Sequence, residues 1–444
     1  QDYSIPIEDI LSAVKDETGT LRHKLELFFD DIKNVFDSIN ALGNGKILET
    51  DLLPAHMDLL RSLSYSTEEV LNVYDFPPIV KRILLAYWAY IGNEPKDLPY
   101  ILYCCLIGDY IGHGAYTCKE TSFELSLKML EACRKKGIQV EFGQDVDKIL
   151  VKDNHVIGVS LKDSTTLYSN YVISGSYPNS VYNKMIEPKG AVKKEAFQFL
   201  NSKQIGMTVF SVILLLDKPH EQLNLNTYMT LYAKDGLNFD DIMKSYHSDH
   251  DFKYTTSVCM NVINPDCSRK GTTVYSITAL PYPDCFKDVT EYNYDQMKHR
   301  IAKELIEMES ARLGFSLFDH ILEIEYITPV SIAHFCKSYR GCIYGYIPSL
   351  DDNVAVRVMK HKDEFFIPGL AFAGAHQVSG DGMGTQFING NQAAQDIFYQ
   401  FKNELPTALR QIISPDKKRK KKSDAKKIKK IVKEMKLRKQ KPAS

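Results

Sequence analysis

The sequence predicts an α/β protein with two lobes. Three patterns carry this prediction: a strand, glycine loop and helix at residues 370–401, a helix followed by strands at residues 122–161, and a run of longer strands at residues 207–280. The first two patterns are typical of a nucleotide-binding lobe, and strands separated by polar loops predict an antiparallel sheet in the second lobe. A chain of 444 residues is long enough for both lobes.

Residues 1–92 have a helical pattern. Ile32, Val35, Phe36 and Ile39 recur at helical spacing before Gly43, which predicts an amphipathic helix that ends there. A second helix is predicted at residues 79–91, directly after two prolines. We expect these helices to belong to the lobe that binds the substrate.

Residues 122–161 predict a helix, strand and hairpin unit. The helix at 122–136 is ended by Gly137 and leads into a predicted strand at 138–142. Two short alternating strands follow, with a turn at Lys152-Asp153-Asn154. Such a unit commonly caps a nucleotide-binding sheet.

The second lobe is predicted from strands at 207–216, 257–263 and 273–280 and a helix at 297–313. The predicted domain organisation is therefore a series of alternating segments. It comprises a helical part of the substrate lobe (1–107), a nucleotide-lobe segment (108–181), the substrate lobe (182–346), a second nucleotide-lobe segment (347–404) and a basic tail (405–444).

The segment near the C-terminus carries most of the chemical information. A predicted strand at 370–373 runs into Gly374, glycines follow at 380, 382 and 384, and a helix is predicted at 386–401. Glycines allow a ligand to approach the backbone closely, and the N–H groups and dipole of a helix N-terminus attract a phosphate or an electron-rich ring edge.

This run, from Gly374 through Ser379-Gly380-Asp381-Gly382 to Ala394, resembles the C-terminal flavin segment of the phytoene desaturase, carotenoid isomerase and retinol saturase group. That group belongs to the amine-oxidase-like flavoproteins. Residues 137–178 and residues 328–345 follow the family order as well. Two departures are evident: Ser379 replaces the proline of the usual Pro-Gly-x-Gly, and residues 116–121 replace a glycine-pair segment.

The resemblance implies a two-lobed FAD-binding fold and an FAD-dependent oxidoreductase that desaturates, saturates or isomerises C=C bonds of an isoprenoid or similar apolar lipid. It also implies a set of cofactor-binding residues. These are Val146 on the adenine side and, toward the flavin end, Gly374, Ala375, Gly380, Gly382, Met383 and Gly384.

The first glycine motif of such flavoproteins is missing. A strand, G-x-G-x-x-G and a helix are expected early in the chain. Gly43-Asn44-Gly45 follows a helical pattern, and Gly112-His113-Gly114 lacks the third glycine. One hypothesis is that a βαβ unit precedes Gln1; the other is a true loss of the motif. On either hypothesis the nucleotide-binding lobe of these residues is incomplete.

No catalytic residue can be named from the sequence. Hydride movement at an unactivated C=C bond does not require a fixed acid or base, and no Ser/His/Asp set, paired carboxylate or metal spacing stands out. His376 comes just after Gly374 in the sequence and could approach the flavin ring. His113 and His334 are weaker candidates, and Cys104-Cys105 lies in an apolar run that predicts core packing.

Nine cysteines without a CxxC pair predict packed, reduced thiols in an intracellular, reducing compartment and no zinc site. No run of apolar residues is long enough to span a membrane.

The charges are distributed unevenly, because 15 of the 55 Lys and Arg residues lie between Lys417 and Lys441. Ile428, Ile431, Val432 and Met435 recur there at helical spacing, which would suit an anionic membrane surface. Simple disorder, nucleic-acid binding and nuclear import are the alternatives.

Two other functions remain open. A non-catalytic scaffold that binds a lipid or a prenylated protein, as Rab escort and GDI-type proteins of this fold do, would agree with the missing motif. An amine oxidase is the alternative within the enzyme class.

Overall fold

The structure is a computed structural model. It describes residues 5–14, 19–43, 57–234, 239–352, 357, 366–377 and 379–404. Among these residues, no helix is both long and apolar enough to cross a membrane. The predicted basic tail, residues 405–444, lies outside the described residues.

Helices and strands alternate along the described chain. The helices of six residues or more are α1 Ile7–Ser12, α2 Thr20–Gly43, α3 Met57–Ser62, α4 Thr67–Val73, α5 Pro78–Leu85, α6 Tyr100–His113, α7 Ser122–Lys135, α8 Lys194–Asn201, α9 Phe239–Ser245, α10 Tyr294–Leu313, α11 Pro329–Phe335 and α12 Met383–Glu404. The strands are β1 Val146–Lys152, β2 His155–Leu161, β3 Thr166–Tyr168, β4 Val172–Ser174, β5 Ile186–Glu187, β6 Phe210–Leu216, β7 Met229–Ala233, β8 Tyr254–Cys259, β9 Thr273–Ala279, β10 Ile321–Ile327 and β11 Leu370–Phe372.

Helices α1 to α6 form a helical subdomain around one apolar core. Ile32 and Val35 of α2 are fully buried in this core, which confirms the predicted amphipathic helix. Helix α6 crosses α2 closely at Gly108, where an added methyl group would lie 2.5 Å from the Phe36 ring. The helix runs across the predicted boundary at 107/108, and Ile111 still packs in the same core.

The predicted antiparallel sheet is present. Its five strands lie in the order β10, β6, β9, β8 and β7, and α10 packs against β9 and β6. The predicted strand at 257–263 is displaced in the structure: β8 spans Tyr254–Cys259, and Met260–Val262 is a 3₁₀ turn. The predicted strand begins three residues too late because the apolar run continues into this turn.

Two small sheets lie in the segments that were predicted to form the nucleotide lobe. One has the order β3, β2, β1 and β5, with the predicted hairpin turn at Asp153 and Asn154, which both adopt positive φ. The other is a parallel pair, β4 with β11, in which Val172 N–H donates to Gly369 O at 2.8 Å. Helix α12 packs against this pair.

The predicted strand at 138–142 is wrong. These residues form a loop in which Ile138 is 52% exposed and Phe142 is 69% exposed. Helix α7, just before them, has no buried residue. A strand requires a hydrogen-bonded neighbour, and no described strand lies beside this segment.

Candidate functional site

The strand, glycine loop and helix predicted near the C-terminus are present and contiguous. Strand β11 ends at Phe372, and α12 begins at Met383, three residues before the predicted start. Gly374, Gly380 and Gly382 have φ values of +129°, +72° and +98°, which side chains other than glycine rarely adopt. These conformations fold the loop back onto the first turn of α12.

The loop is held by Asn389, a residue that the sequence analysis did not single out. Its Nδ2 donates to the carbonyl oxygens of Gly374 (3.1 Å) and Gly380 (2.9 Å), and its Oδ1 accepts from Ser379 N–H at 3.2 Å. Asn389 is only 1% exposed. Asparagine is uncommon in the interior of a helix. Its presence inside the predicted helix was therefore a sequence signal that could have identified Asn389.

The predicted lead-in segment, residues 328–345, meets the glycine loop. Gly345 has a φ of +74°, and a methyl group added there would lie 2.3 Å from Ala375 O. Gly341 approaches Pro329 O just as closely. The backbone of the lead-in segment therefore packs directly against the start of the glycine loop.

A cavity of about 460 Å³ opens between the glycine loop and the helical subdomain. It is lined by residues of both. They are Phe36, Asn40, Tyr90, Ile91, Leu102, Cys105, Leu106, Asp109, Tyr344, Tyr346, Pro348, Arg357, Ser379, Gly380, Asp381, Gly384, Thr385 and Ile388. Two of the predicted cofactor-binding residues, Gly380 and Gly384, thus face a site of the size that small molecules occupy.

Asp381 is a carboxyl group in this cavity whose pKa is raised far above its ordinary value. Burial raises the pKa of its carboxyl to about 7. The pKa of Tyr344, which also lines the cavity, lies above its usual range because the ring is buried and because Asp381 is near. The cavity therefore holds a carboxyl that changes its charge near neutral pH.

A second, more open cavity of about 780 Å³ lies between α7 and α12. Its walls are Phe123 and Met129 from α7, with Met383, Phe387 and Gly390 from α12 among others. Phe123 is 66% exposed and Met383 is 53% exposed. The N-terminal turn of α12 thus separates two cavities, with Gly384 facing one and Met383 the other.

Val146 and His376, two other residues singled out from the sequence, lie away from both cavities. Val146 begins β1, is 37% exposed and pairs with Leu161, and it lines neither cavity. His376 packs among the rings of Tyr177, Tyr346 and Phe372. Burial lowers the pKa of His376 to about 3, and its Nε2 makes no hydrogen bond within the described residues. It therefore remains neutral and does not line the cavity either.

The weaker candidates do not join the site as catalytic groups. Cys104 is buried in the helical core, which confirms its predicted packing role, whereas its neighbour Cys105 lines the cavity. His113 on α6 is held by Asp109 at 2.7 Å, and His334 on α11 packs edge-on against Phe335. All nine cysteines are free. Within the described ranges, no group of three His, Cys, Asp or Glu side chains could hold a metal.

Comparisons with known proteins support the resemblance. A 4,4'-diaponeurosporene oxygenase of Staphylococcus haemolyticus is 22% identical over 411 residues, covering 88% of this chain and 78% of its own. A 4,4'-diapolycopene oxygenase of a Methylomonas species is 23% identical over 377 residues, covering 83% and 73%. No family model matches the chain.

Solved structures share the fold. A putrescine oxidase variant redesigned for cofactor binding has a TM-score of 0.54 at 12% identity, covering 87% of this chain and 77% of its own. An oxidoreductase from Methanosarcina mazei has a TM-score of 0.51 at 12% identity, covering 81% and 74%. In sequence the chain is similar to these two oxygenases, and in fold it is similar to these two oxidoreductases. The predicted family resemblance and the α/β oxidoreductase fold are thereby confirmed, whereas the division into lobes stays a prediction.

Proposed function

We propose that this protein is an FAD-dependent oxidoreductase that acts on C=C bonds of an isoprenoid polyene. The observation that carries the proposal is the glycine loop between β11 and α12, which presents Gly380 and Gly384 to a small-molecule cavity. The relatives are named for oxygenation of diaponeurosporene and diapolycopene, and both names denote polyene lipids.

The residues present fit the flavin end of FAD. Gly380 and Gly384 have no atom within 4 Å of the place where a side chain would begin, so a planar ring can approach their backbone. We propose that Gly374, Ala375, Gly380, Gly382, Met383 and Gly384 hold this end and that Val146 contacts the adenine side. Bound FAD would supply hydride transfer, and the protein would supply binding and orientation.

On this proposal, the rest of FAD would bind beside the free edge of β4. Strand β4 pairs with β11 alone among the described strands, and Ile173 of β4 is 46% exposed. Parallel sheets are normally covered on both faces and extended by crossover units. We propose that a strand, glycine turn and helix occupy the open edge of β4 and the cavity between α7 and α12.

The experiment is purification of the product of the complete open reading frame under native conditions. A flavin absorbance spectrum and release of FAD on denaturation are expected, followed by conversion of a polyene that changes its absorbance bands. A colourless protein that takes up no FAD would contradict the proposal and favour the non-catalytic scaffold. Oxidation of an amine with no change in any polyene would favour the amine oxidase.

The relatives favour the main hypothesis over both alternatives, because the sequence relatives are oxidoreductases of polyenes. The likeness to putrescine oxidase is a likeness of fold alone. An apolar small molecule is accordingly the proposed partner. The relatives are bacterial and give no support for nuclear import, and membrane association through residues 417–441 stays a prediction.

A further inference from the structure

A third cavity lies between the helices of the helical subdomain. Its volume of about 430 Å³ is within the range that small organic ligands occupy. Helices α2, α3, α4 and α6 and the turns next to them form its wall, and it shares no lining residue with the two cavities beside α12. Its apolar surface comes from three valines and three tyrosines, which are Val35, Val70, Val73, Tyr65, Tyr74 and Tyr100.

Tyr100 on α6 brings a buried hydroxyl without a partner to this cavity. The residue is only 5% exposed, and its Oη makes no hydrogen bond within the described residues. Burial raises the pKa of Tyr100 well above its usual range. The Cys104 thiol lies near the hydroxyl, but sulfur is a weak acceptor and the geometry does not give a hydrogen bond. A buried hydroxyl without a partner is costly, and a ligand that bonds to it recovers part of that cost.

Asp31 and Tyr74 line the same cavity and lie close to this hydroxyl, since both contribute to the raised pKa of Tyr100. Asp31 Oδ2 accepts the Tyr74 hydroxyl, and no donor among the described residues bonds to Asp31 Oδ1. The Tyr74 oxygen keeps its lone pairs, because it is the donor in that bond. The cavity thus offers three acceptors close together: Asp31 Oδ1, Tyr74 Oη and Tyr100 Oη.

The charges around the cavity favour a cation. Asp31, Asp58 and Glu69 in its wall are acidic, and Arg61 is basic. Arg61 already lies 3.7 Å from Asp58, whereas Glu69 keeps its charge while it accepts the Ser66 N–H at the start of α4. An anion would therefore meet an excess of negative charge. A cation would be attracted by this excess and by the faces of the tyrosine rings.

We propose that this cavity binds a small organic ammonium ion, with the ammonium group between Asp31, Tyr74 and Tyr100 and the apolar part against Val70 and Val73. An ammonium group has three N–H donors, which match the three acceptors, whereas the five donors of a guanidinium group would exceed them. The inference does not depend on the proposed function, because the cavity lies outside the site assigned there to FAD and the polyene.

The test is isothermal titration of the 444-residue protein, without FAD, with 2-phenylethylamine and with 2-phenylethanol. The two probes share the phenylethyl group, and only the amine is a cation at neutral pH. The amine is expected to bind roughly tenfold more tightly, because hydrogen bonds between charged groups are stronger than neutral ones. Asp31→Asn should remove most of this difference while the alcohol still binds, which shows that the variant is folded.

Tyr100→Phe separates ligand binding from folding. Removal of an unpartnered buried hydroxyl should leave the urea midpoint of unfolding unchanged or raise it, while the affinity for the amine falls severalfold. The matched control is Tyr103→Phe on the same helix, where the hydroxyl donates to Leu84 O at 2.9 Å. Tyr103 does not line the cavity, so this variant should lower the unfolding midpoint and leave the affinity for the amine unchanged.

Three outcomes would overturn the inference. The first is equal binding of the amine and the alcohol to the unchanged protein, or binding of neither. The second is a Tyr100→Phe variant that loses as much stability as Tyr103→Phe, since the Tyr100 hydroxyl would then have a partner within the protein. The third is an affinity for the amine that depends on Asp381 and not on Asp31, which would place the amine at the glycine loop. The proposed function is tested separately, by flavin uptake and polyene conversion in the complete protein.

Discussion

At the scale of single residues, Asp381 couples stability to pH. Its pKa is raised by burial to about 7, against 3.8 when exposed. Between these values the folded state retains a proton that the unfolded state releases, so its contribution to stability falls as the pH rises, by at most about 1.4 kcal/mol per pH unit. The loss is complete above the folded pKa.

Asp381→Asn removes this ionisation. The variant should therefore gain stability relative to the unchanged protein as the pH rises from 4 to 8. The difference in the free energy of unfolding, measured in urea at several pH values, checks this. Asp319→Asn, which changes an exposed carboxyl, is the control. A stability difference between Asp381→Asn and the unchanged protein that stays constant with pH would contradict the raised pKa of Asp381.

A second residue-scale prediction concerns the buried ion pair of α10. Glu309 is fully buried and accepts from Tyr275 Oη and from Arg312 at 2.6 and 3.0 Å. Glu309→Gln leaves Arg312 without its counter-charge and should cost about 3–5 kcal/mol of unfolding free energy. The exposed pair of Arg269 and Glu323 is the matched control, and Glu323→Gln should cost less than about 1 kcal/mol. Equal costs for the two variants would be inconsistent with this account.

At the scale of elements, the glycine loop depends on α12 for its shape. The loop belongs to no strand or helix, so its backbone lacks the hydrogen bonds that those elements provide. The side chain of Asn389 supplies hydrogen bonds instead, to the backbone of Gly374, Ser379 and Gly380. Asn389→Ala should lower the free energy of unfolding by about 2–4 kcal/mol, because it removes several hydrogen bonds and leaves buried backbone groups unpaired.

The loop itself should also open more often in this variant. Hydrogen exchange of the amides at residues 374–382 should become faster in Asn389→Ala than in Asn391→Ala, an exposed asparagine on the same helix. If these amides exchange at equal rates in the two variants, the loop is held by something other than Asn389.

The elements that could be predicted from the sequence are those whose pattern is local. The helical stripe at Ile32 and Val35, the turn at Asp153 and the glycine loop depend on neighbouring residues, and all are present. The strand at 138–142 could not be predicted correctly, because strand formation depends on a neighbour that the described chain does not provide. Within the site, the hydrogen bonds of Asn389 and the raised pKa of Asp381 depend on tertiary contacts. An asparagine in the interior of a helix hints at the first, and no sequence pattern shows the second.

At the scale of the whole molecule, the predicted incompleteness of the nucleotide-binding lobe implies weak FAD binding. The pyrophosphate of a dinucleotide is bound chiefly by the first βα turn, and no such turn is found among the described residues. Isothermal titration of the 444-residue protein with FAD should therefore give weak or no binding. Tight, stoichiometric binding would show that another part of the chain supplies the phosphate contacts.

The last prediction concerns the basic tail, residues 417–441, which lies outside the described residues and is argued from its sequence. Few apolar residues accompany its 15 positive charges, so it cannot form a packed core and should act independently of the fold. Near an anionic membrane each Lys or Arg contributes about 1 kcal/mol, and Ile428, Ile431, Val432 and Met435 add an apolar face. Deletion after Pro415 should abolish binding to acidic vesicles without changing the thermal stability of the folded part.

Neutral vesicles are the control, and RNA in a salt series tests the competing partner, because binding to phosphates weakens steeply as salt increases. A tail that binds RNA and leaves acidic vesicles alone would refute the membrane hypothesis, whereas vesicle binding would bring the enzyme to the phase in which a polyene dissolves.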